Sequence, residues 1–266
     1  MNAQTGFEKG TQEATQERLV VIGNGMAGCR AVEEILSLAP DRYAITIFGA
    51  EPRVNYNRIM LSPVLAGEKS FDEIVINSAE WYEENAITLV SGDPVIHIDR
   101  KACQVVSRGG RIESYDKLLI ATGSDPFVIP VPGKDLPGVV TFRDLDDVET
   151  MLKAAETSTK AVVIGGGLLG LEAAHGLSLR GMDVTILHLM PTLMERQLDE
   201  AAGYLLKSEL EGRGMKILTG ADTGEILEKD GRVGGVKLKD GAQIDADLVV
   251  MAVGIRPNVA LAKEAG

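Results

Sequence analysis

The sequence predicts an α/β protein with two parallel-sheet domains, because one short pattern occurs twice along the chain. Leu19–Ile22 and residues 161–164 are apolar runs with the length of a strand that is buried on both faces. A glycine-rich turn follows each run, and a stretch with helical character follows each turn. The tetrapeptide Val-Val-Ile-Gly is itself repeated, at 20–23 and at 162–165. Two matching strand–turn–helix units predict two Rossmann-like domains far more strongly than one unit would.

Both turns have the spacing G-x-G-x-x-G, which is typical of dinucleotide-binding folds. They consist of Gly23, Gly25 and Gly28 in the first unit and of Gly165, Gly167 and Gly170 in the second. The first glycine allows a tight bend, the second lets a diphosphate approach the backbone, and the third lets helix and strand pack closely. The start of the helix adds unpaired N–H groups and partial positive charge. Two such turns predict two cofactors, and hence electron transfer between them.

The chain after the first turn predicts a second strand, a loop and a short helix. Tyr43–Phe48 is the strand, and Glu51 just beyond it can accept both hydroxyls of an adenosine ribose, with an ordinary loop carboxylate as the alternative. Residues 55–67 predict an irregular loop. Arg58 in this loop has a guanidinium suited to a diphosphate, although spacing alone favours simple solvation. Asn77 is the predicted N-cap of the short helix.

The remaining elements predict two β-meanders and a second Rossmann-like unit. Strands are predicted at 87–90, 95–98, 103–107, 111–114, 117–123, 139–142, 161–164, 184–189, 215–218 and 247–253. Helices are predicted at 144–155, 168–180 and 198–211. The prolines of residues 124–137 indicate a stiff connection. The predicted organisation is a disordered tail at 1–17, a first domain at 18–125, a linker at 126–143, a second domain at 144–254 and a return to the first domain at 255–266.

Composition excludes several classes of function. The net charge of −12 and the pI of about 4.8 argue against binding to nucleic acid or to an anionic membrane. No apolar run approaches the roughly 20 residues of a membrane helix. The two cysteines, Cys29 and Cys103, are too few and too far apart for a disulfide framework or a metal site. They predict packing roles in a protein of the reducing cytoplasm.

Taken together, these motifs resemble the two-dinucleotide flavoprotein reductases, which have the FAD/NAD(P) fold of glutathione reductase. The resemblance covers about Leu19–Gly266 and implies that the first turn binds FAD and the second binds NAD(P)H. The implied FAD contacts are Gly23, Gly25, Met26, Ala27, Gly28, Glu51, Arg58, Val95, Thr122 and Gly123. The implied NAD(P) contacts are Gly165, Gly167, Leu168, Leu169, Gly170, Glu172, His188 and Gly254.

Within this family, residues 55–77 and 188–199 are similar to the amino-terminal part of the large subunits of cytoplasmic NAD(P)H-dependent nitrite reductases. This implies that NAD(P)H reduces the flavin, and that the flavin passes electrons to a redox acceptor domain with Fe–S and sirohaem groups outside this chain, where nitrite becomes ammonia. A homodimer is possible for such a full-length protein. One alternative is a reductase for a separate rubredoxin- or ferredoxin-like carrier protein, which has the same skeleton. A second alternative is a nucleotide-binding redox sensor without catalysis.

Two departures from the family pattern within the chain qualify these expectations. No Cys-x4-Cys occurs near the flavin motifs, so disulfide reduction is excluded. Pro63 occupies the position of a lysine that pairs with a glutamate in many relatives, so Glu172, the candidate for a supporting catalytic role, is expected to lack a partner from that loop.

His188 stands where an acid favours NADH and an arginine favours NADPH, and it decides neither. Arg196 can reach a 2′-phosphate or be solvated.

The resemblance also implies a segment beyond the end of the chain. The family's last flavin-binding stretch, Ala-x-Gly-Asp/Glu, is expected downstream of residues 255–258, whereas the chain ends at Gly266. We therefore expect a fragment that retains FAD weakly or not at all, because one wall of the flavin site and apolar sheet surface would be uncovered. Residues 160–254 are expected to fold more robustly than the part of the chain that binds FAD.

Overall fold

The computed structural model describes residues 16–266, which form two units, each with its own parallel sheet. The first unit consists of residues 16–55, Asn77–Thr122 and Val259–Gly266, and the second consists of Tyr56–Ile76 and Gly123–Asn258. The sequence-based boundaries, which stay a prediction, assign 56–76 to the first domain. The expected disordered tail lies outside the described residues except for Gln16 and Glu17, and Glu17 already begins a strand.

The strands and helices follow the predicted order. The strands are β1 (Glu17–Ile22), β2 (Tyr43–Phe48), β3 (Thr88–Val90), β4 (Val95–Asp99), β5 (Gln104–Ser107), β6 (Ile112–Ser114), β7 (Lys117–Ile120), β8 (Ser124–Pro126), β9 (Val139–Thr141), β10 (Lys160–Ile164), β11 (Asp183–His188), β12 (Lys216–Thr219), β13 (Thr223–Lys229), β14 (Arg232–Leu238), β15 (Gln243–Asp245), β16 (Leu248–Met251) and β17 (Ile255–Pro257). The helices are α1 (Met26–Leu38), α2 (Leu61–Ala66), α3 (Ala79–Glu84), α4 (Leu145–Thr157), α5 (Leu168–Leu179), α6 (Glu200–Gly212) and α7 (Ala260–Ala265). Across residues 16–266, none of the helices combines the length and the apolar character that crossing a bilayer requires.

The first unit has a four-stranded parallel sheet in the order β3-β2-β1-β7. The Leu19–Ile22 run of β1 is buried, as expected for a central strand covered on both faces. Helix α1 packs Cys29 and Val32 into the same core. An antiparallel meander, β4-β5-β6, confirms the predicted insertion, with its second turn at residues 108–110.

The second unit repeats this plan with a five-stranded parallel sheet in the order β12-β11-β10-β16-β9. Every residue of β16 is buried, and so are the last four residues of β10. The antiparallel meander β13-β14-β15 covers part of this core. In each unit the glycine turn follows the strand, β1 or β10, at which the order of the strands in the sheet changes direction. Ligands of open α/β sheets bind beside such a strand. The predicted fold class is confirmed.

The expectation of an irregular loop at 55–67 is wrong. Residues Arg58–Met60 form a 3₁₀ turn and continue into α2. Leu61, Val64 and Leu65 are buried at helical spacing, and Gly67 ends the helix with a φ of +83°. The signal was therefore present in the sequence, but the segment has only six helical residues and contains Pro63 in its first turn, where proline is tolerated.

The predicted N-cap at Asn77 is also wrong, by one residue. Ser78 precedes the first residue of α3 in an extended conformation. Asn77 is 3% exposed, and its side chain is used elsewhere: Oδ1 accepts a hydrogen bond from Asn55 Nδ2, and Nδ2 donates to Glu33 Oε1. A good capping residue was recruited into a buried polar network because asparagine can donate and accept at once.

Candidate nucleotide-binding sites

The first glycine turn joins β1 to α1 and has little room for side chains at two of its glycines. Gly23 has a φ of +120°, and a Cβ at this position would lie 2.1 Å from the Ala121 carbonyl oxygen. A Cβ at Gly28 would lie 2.3 Å from the Gly23 oxygen. Gly25 is different, because beyond its own chain neighbours no heavy atom of the described residues lies within 4 Å of its would-be Cβ. The backbone at Gly25 is therefore open to a ligand.

The second turn, between β10 and α5, has the same construction. Gly165 has a φ of +125°, and its Cβ would lie 2.2 Å from the Ala252 oxygen. A Cβ at Gly170 would lie 2.0 Å from the Gly165 oxygen. A Cβ at Gly167 would again have open space around it, because beyond its chain neighbours no heavy atom of the described residues lies within 4 Å. The structure thus gives each unit an equivalent cradle that a side chain would fill.

The helix that begins at each cradle is suited to an anion. Gly25 and Gly167 are the N-caps of α1 and α5, both in extended conformation, and neither helix has a side-chain cap within residues 16–266. The N–H groups of the first helical turn remain available to a diphosphate, and the helix dipole favours its negative charge. The residues present therefore fit a dinucleotide diphosphate at both turns. Leu168 and Leu169, at the start of α5, are 57% and 40% exposed.

Other residues predicted for the first site lie in or near the first unit's sheet. Glu51 follows β2 and is half-buried, with its backbone oxygen accepting from the Gly92 N–H. Val95 begins β4 and is 9% exposed. Thr122 follows Ala121, the residue that faces the first glycine. Gly123, the residue after Thr122, and Gly254 both belong to the second unit, and they have φ of +70° and +116°.

A buried polar network behind the first turn was missed by sequence analysis. Asn24, between the first two glycines, donates from Nδ2 to the Arg53 oxygen at 3.2 Å. Its Oδ1 accepts from the Tyr82 hydroxyl at 2.8 Å and from the Cys29 thiol at 3.2 Å. Burial raises the pKa of Cys29 to about 11, so the thiol stays protonated near neutral pH. The network supports the structural interpretation of Cys29.

His188, predicted for the NAD(P) site, has both ring nitrogens in hydrogen bonds to the protein. It is the last residue of β11 and is 8% exposed. Nδ1 lies 3.1 Å from the Gly166 nitrogen and accepts its N–H. This bond fixes the tautomer, so Nε2 carries the proton and donates to Glu195 Oε2 at 3.0 Å. Sequence analysis did not identify Glu195, which reaches the turn only through the fold.

The expectation that Glu172 lacks a partner from the Arg58 segment is wrong. The Ser62 hydroxyl of α2 donates to Glu172 Oε2 on α5 at 2.5 Å. The serine next to Pro63 thus contacts Glu172 where the family pattern implies a lysine, and it does so through a hydrogen bond rather than an ion pair. Glu172 keeps a fixed orientation without a neutralising cation in that contact.

Arg58 lies in the second unit beside a second arginine that sequence analysis did not single out. Its guanidinium lies over the Tyr56 ring and donates from Nη1 to the Arg143 oxygen at 3.1 Å. Arg143 donates to the backbone oxygen and the hydroxyl of Ser124. Burial, and then the Arg58 charge, lower the pKa of Arg143. Two neighbouring guanidinium groups attract an anion, because it relieves their repulsion. The position of Arg143 just after β9 was the available signal.

Comparisons with known proteins agree with this geometry. A family model described as pyridine nucleotide-disulphide oxidoreductase matches residues 17–266. The chain is 56% identical to nitrite reductase (NAD(P)H) of Bacillus subtilis (strain 168) and 48% identical to the assimilatory nitrate reductase electron transfer subunit of the same organism. Each alignment covers 94% of this chain, and the chain spans about a third of each relative's length, 31% and 32%. The solved structure of a covalent putidaredoxin reductase–putidaredoxin complex matches with a TM-score of 0.88 and 28% identity, over 94% of this chain and 61% of the other.

Proposed function

This chain belongs to the pyridine nucleotide-disulphide oxidoreductase family, and we propose that it is the module that takes electrons from NAD(P)H, through FAD, for a nitrite-reducing centre in a longer protein. The proposal depends on one observation above all: the chain contains two equivalent glycine cradles, each open at its middle glycine. One dinucleotide site is enough for a binding protein, whereas hydride transfer between two dinucleotides requires two.

The residues of this chain bind and orient the two cofactors. The Gly23–Gly28 turn, with Glu51 on the ribose, would hold FAD, and the Gly165–Gly170 turn would hold NAD(P)H. When bound, the nicotinamide supplies a hydride, and the flavin converts this two-electron step into one-electron steps. The protein contributes the two helix N-termini, the closed backbone around each diphosphate, and Glu172 held by Ser62 in a supporting role.

The longer protein provides the rest of the proposed activity. Two relatives reported above carry the names of a nitrite reductase and of an electron transfer subunit of an assimilatory nitrate reductase. In the proposal, Fe–S and sirohaem groups held outside residues 1–266 receive the electrons and reduce nitrite to ammonia, in the cytoplasm and within a homodimer.

A reductase for a separate carrier protein is the second candidate. It is favoured by the likeness to a reductase solved together with putidaredoxin. The two candidates share every step within this chain and differ only in the acceptor. Adding a purified ferredoxin or rubredoxin to the reduced chain separates them, since only the carrier reductase is expected to reduce that protein rapidly.

An absorption experiment tests the proposal directly. Purified protein is mixed with excess FAD without oxygen, NADH or NADPH is added, and the flavin bands are followed. We expect bleaching of the flavin bands much faster than with free FAD, followed by reoxidation when an artificial acceptor is added. Binding of both nucleotides without accelerated bleaching would contradict the proposal and favour a redox sensor.

A further inference from the structure

In the first unit, a side chain of the glycine turn, that of Asn24, fills the space between the turn and the end of β2. Gly23 donates its N–H to the Phe48 oxygen at 2.8 Å, so Gly49, the residue directly after that strand, faces the turn. A Cβ at Gly49 would lie 3.0 Å from the Asn24 Cβ. In this unit the turn provides the side chain, that of Asn24, and the chain directly after β2 provides a glycine.

The second unit has the opposite arrangement. Gly165 donates its N–H to the Leu187 oxygen at 2.8 Å, which makes His188 the equivalent of the facing glycine of the first unit. A Cβ at Gly166 would lie 2.7 Å from His188 Cγ. Here the strand provides the side chain and the turn provides the glycine. The imidazole can therefore lie against the turn and still reach residues beyond it.

The segment after β11 is fixed against the same turn. Met194 donates its N–H to the Gly166 oxygen at 3.0 Å, and Leu193 Cδ2 lies 2.6 Å from the would-be Cβ of that glycine. These contacts bring Glu195 to the carboxyl end of β11, where His188 Nε2 donates to it. The Glu195 side chain is 30% exposed, whereas that of His188 is 10% exposed. A carboxylate is thus held at the edge of the candidate NAD(P) site.

We propose that Glu195, oriented by His188, selects NADH over NADPH. The proposal rests on the function proposed above, in which the second turn binds the nicotinamide cofactor. An acid near the end of the second strand of such a unit accepts a hydrogen bond from the ribose 2′-hydroxyl, and it repels a 2′-phosphate. A carboxylate oxygen has more than one acceptor site, so the bond from His188 leaves Glu195 able to accept from a ribose as well.

Arg196 makes the opposite prediction. This exposed arginine follows Glu195 directly, and a guanidinium that reached the 2′-phosphate would favour NADPH. The geometry points to Glu195, because two contacts fix it: the bond from His188, and the bond from the preceding residue's N–H to the turn. The variants Glu195→Gln and Arg196→Gln change the charge by one unit in opposite directions, so they separate the two interpretations.

Binding of NADH and of NADPH, measured separately by titration calorimetry, tests the proposal without requiring turnover. We expect the unaltered chain to bind NADH at least about tenfold more tightly than NADPH. Glu195→Gln should lower this ratio about tenfold, mainly through tighter NADPH binding, and higher ionic strength should lower the ratio for the unaltered chain only. Glu228→Gln, an exposed carboxylate in β13, is the matched control and should leave the ratio within about twofold.

Four outcomes would overturn the proposal. Equal affinities for the two nucleotides would show that Glu195 does not select between them. Tighter binding of NADPH that is lost in Arg196→Gln would assign selection to Arg196. An equal change in both affinities in Glu195→Gln would reduce Glu195 to a structural role. If the folded chain bound neither nucleotide, the proposed function itself would fail, and with it this inference.

Discussion

The two glycine turns of this chain have the same backbone but are supported from opposite sides. In the first unit the Asn24 side chain extends from the turn and joins a buried network with Tyr82. In the second unit the His188 side chain extends from the strand, holds the Gly166 N–H and passes a hydrogen bond outward to Glu195. The shared G-x-G-x-x-G spacing therefore specifies a diphosphate cradle, whereas the residue behind the cradle decides whether its polar contacts lead into the core or toward the ligand.

The largest expected effect comes from filling the closed part of either turn. Gly23→Ala or Gly165→Ala forces a Cβ to about 2 Å from a backbone oxygen at positive φ, so we expect a loss of at least about 3 kcal/mol in the unfolding free energy of the affected unit. The single tryptophan, Trp81, lies in the first unit and reports its unfolding by fluorescence. Far-UV circular dichroism detects both units. Equal loss of the Trp81 signal in both variants would show that the units do not unfold separately.

The open glycines should affect binding rather than folding. Gly25→Ala and Gly167→Ala place a methyl group where the described residues leave space, at ordinary backbone angles. We expect melting temperatures within a few degrees of the unaltered protein, because such a substitution costs little in the folded state. Affinity should fall at least about tenfold, for FAD in the first variant and for NADH in the second, because the methyl group keeps the diphosphate from the backbone. Unchanged affinity for both would remove the cradle interpretation.

Exchanging the residues behind one turn tests whether the two arrangements are alternatives. Gly166→Asn alone should cost about 2 kcal/mol, because its Cβ would overlap the His188 ring. His188→Gly alone should cost a similar amount through the lost ring and hydrogen bonds. The loss of unfolding free energy in the double variant, measured by chemical unfolding, should be smaller than the sum of the two single losses by about 1 kcal/mol or more. Strict additivity would mean that the two positions do not share one space.

Local patterns explain why much of the fold was predictable. The apolar run of β1, the repeated Val-Val-Ile-Gly and the glycine spacing are short-range features, and each one specifies a strand, a turn and a helix together. Pairing of these units into parallel sheets follows from general connection rules. The short helix α2 was missed because six residues with an internal proline give a weak periodic signal.

The contacts that orient site residues were not predictable, because they join side chains far apart in sequence. Ser62 and Glu172 meet only once α2 packs against α5. Glu195 is close to the strand-end histidine in sequence, but spacing does not show that the intervening loop returns to the glycine turn. Sequence analysis identified the position of His188 but not its tautomer or its partner.

The smallest expected effect compares two carboxylates that bind the start of the central strand in each unit. Asp116 accepts from the Arg18 N–H and guanidinium, and Asp247 accepts from the Lys160 and Thr159 N–H groups. The Arg18 guanidinium lowers the pKa of Asp116 most, and the Lys160 N–H lowers that of Asp247. A carboxyl with a depressed folded pKa stabilises the protein above its unfolded pKa of about 3.9, and this stability is lost as pH falls further. Asp116→Asn should therefore flatten the fall in melting temperature between about pH 5 and pH 2 more than Asp247→Asn does. Equal flattening would show that the Arg18 guanidinium adds nothing to the backbone bond that the two units share.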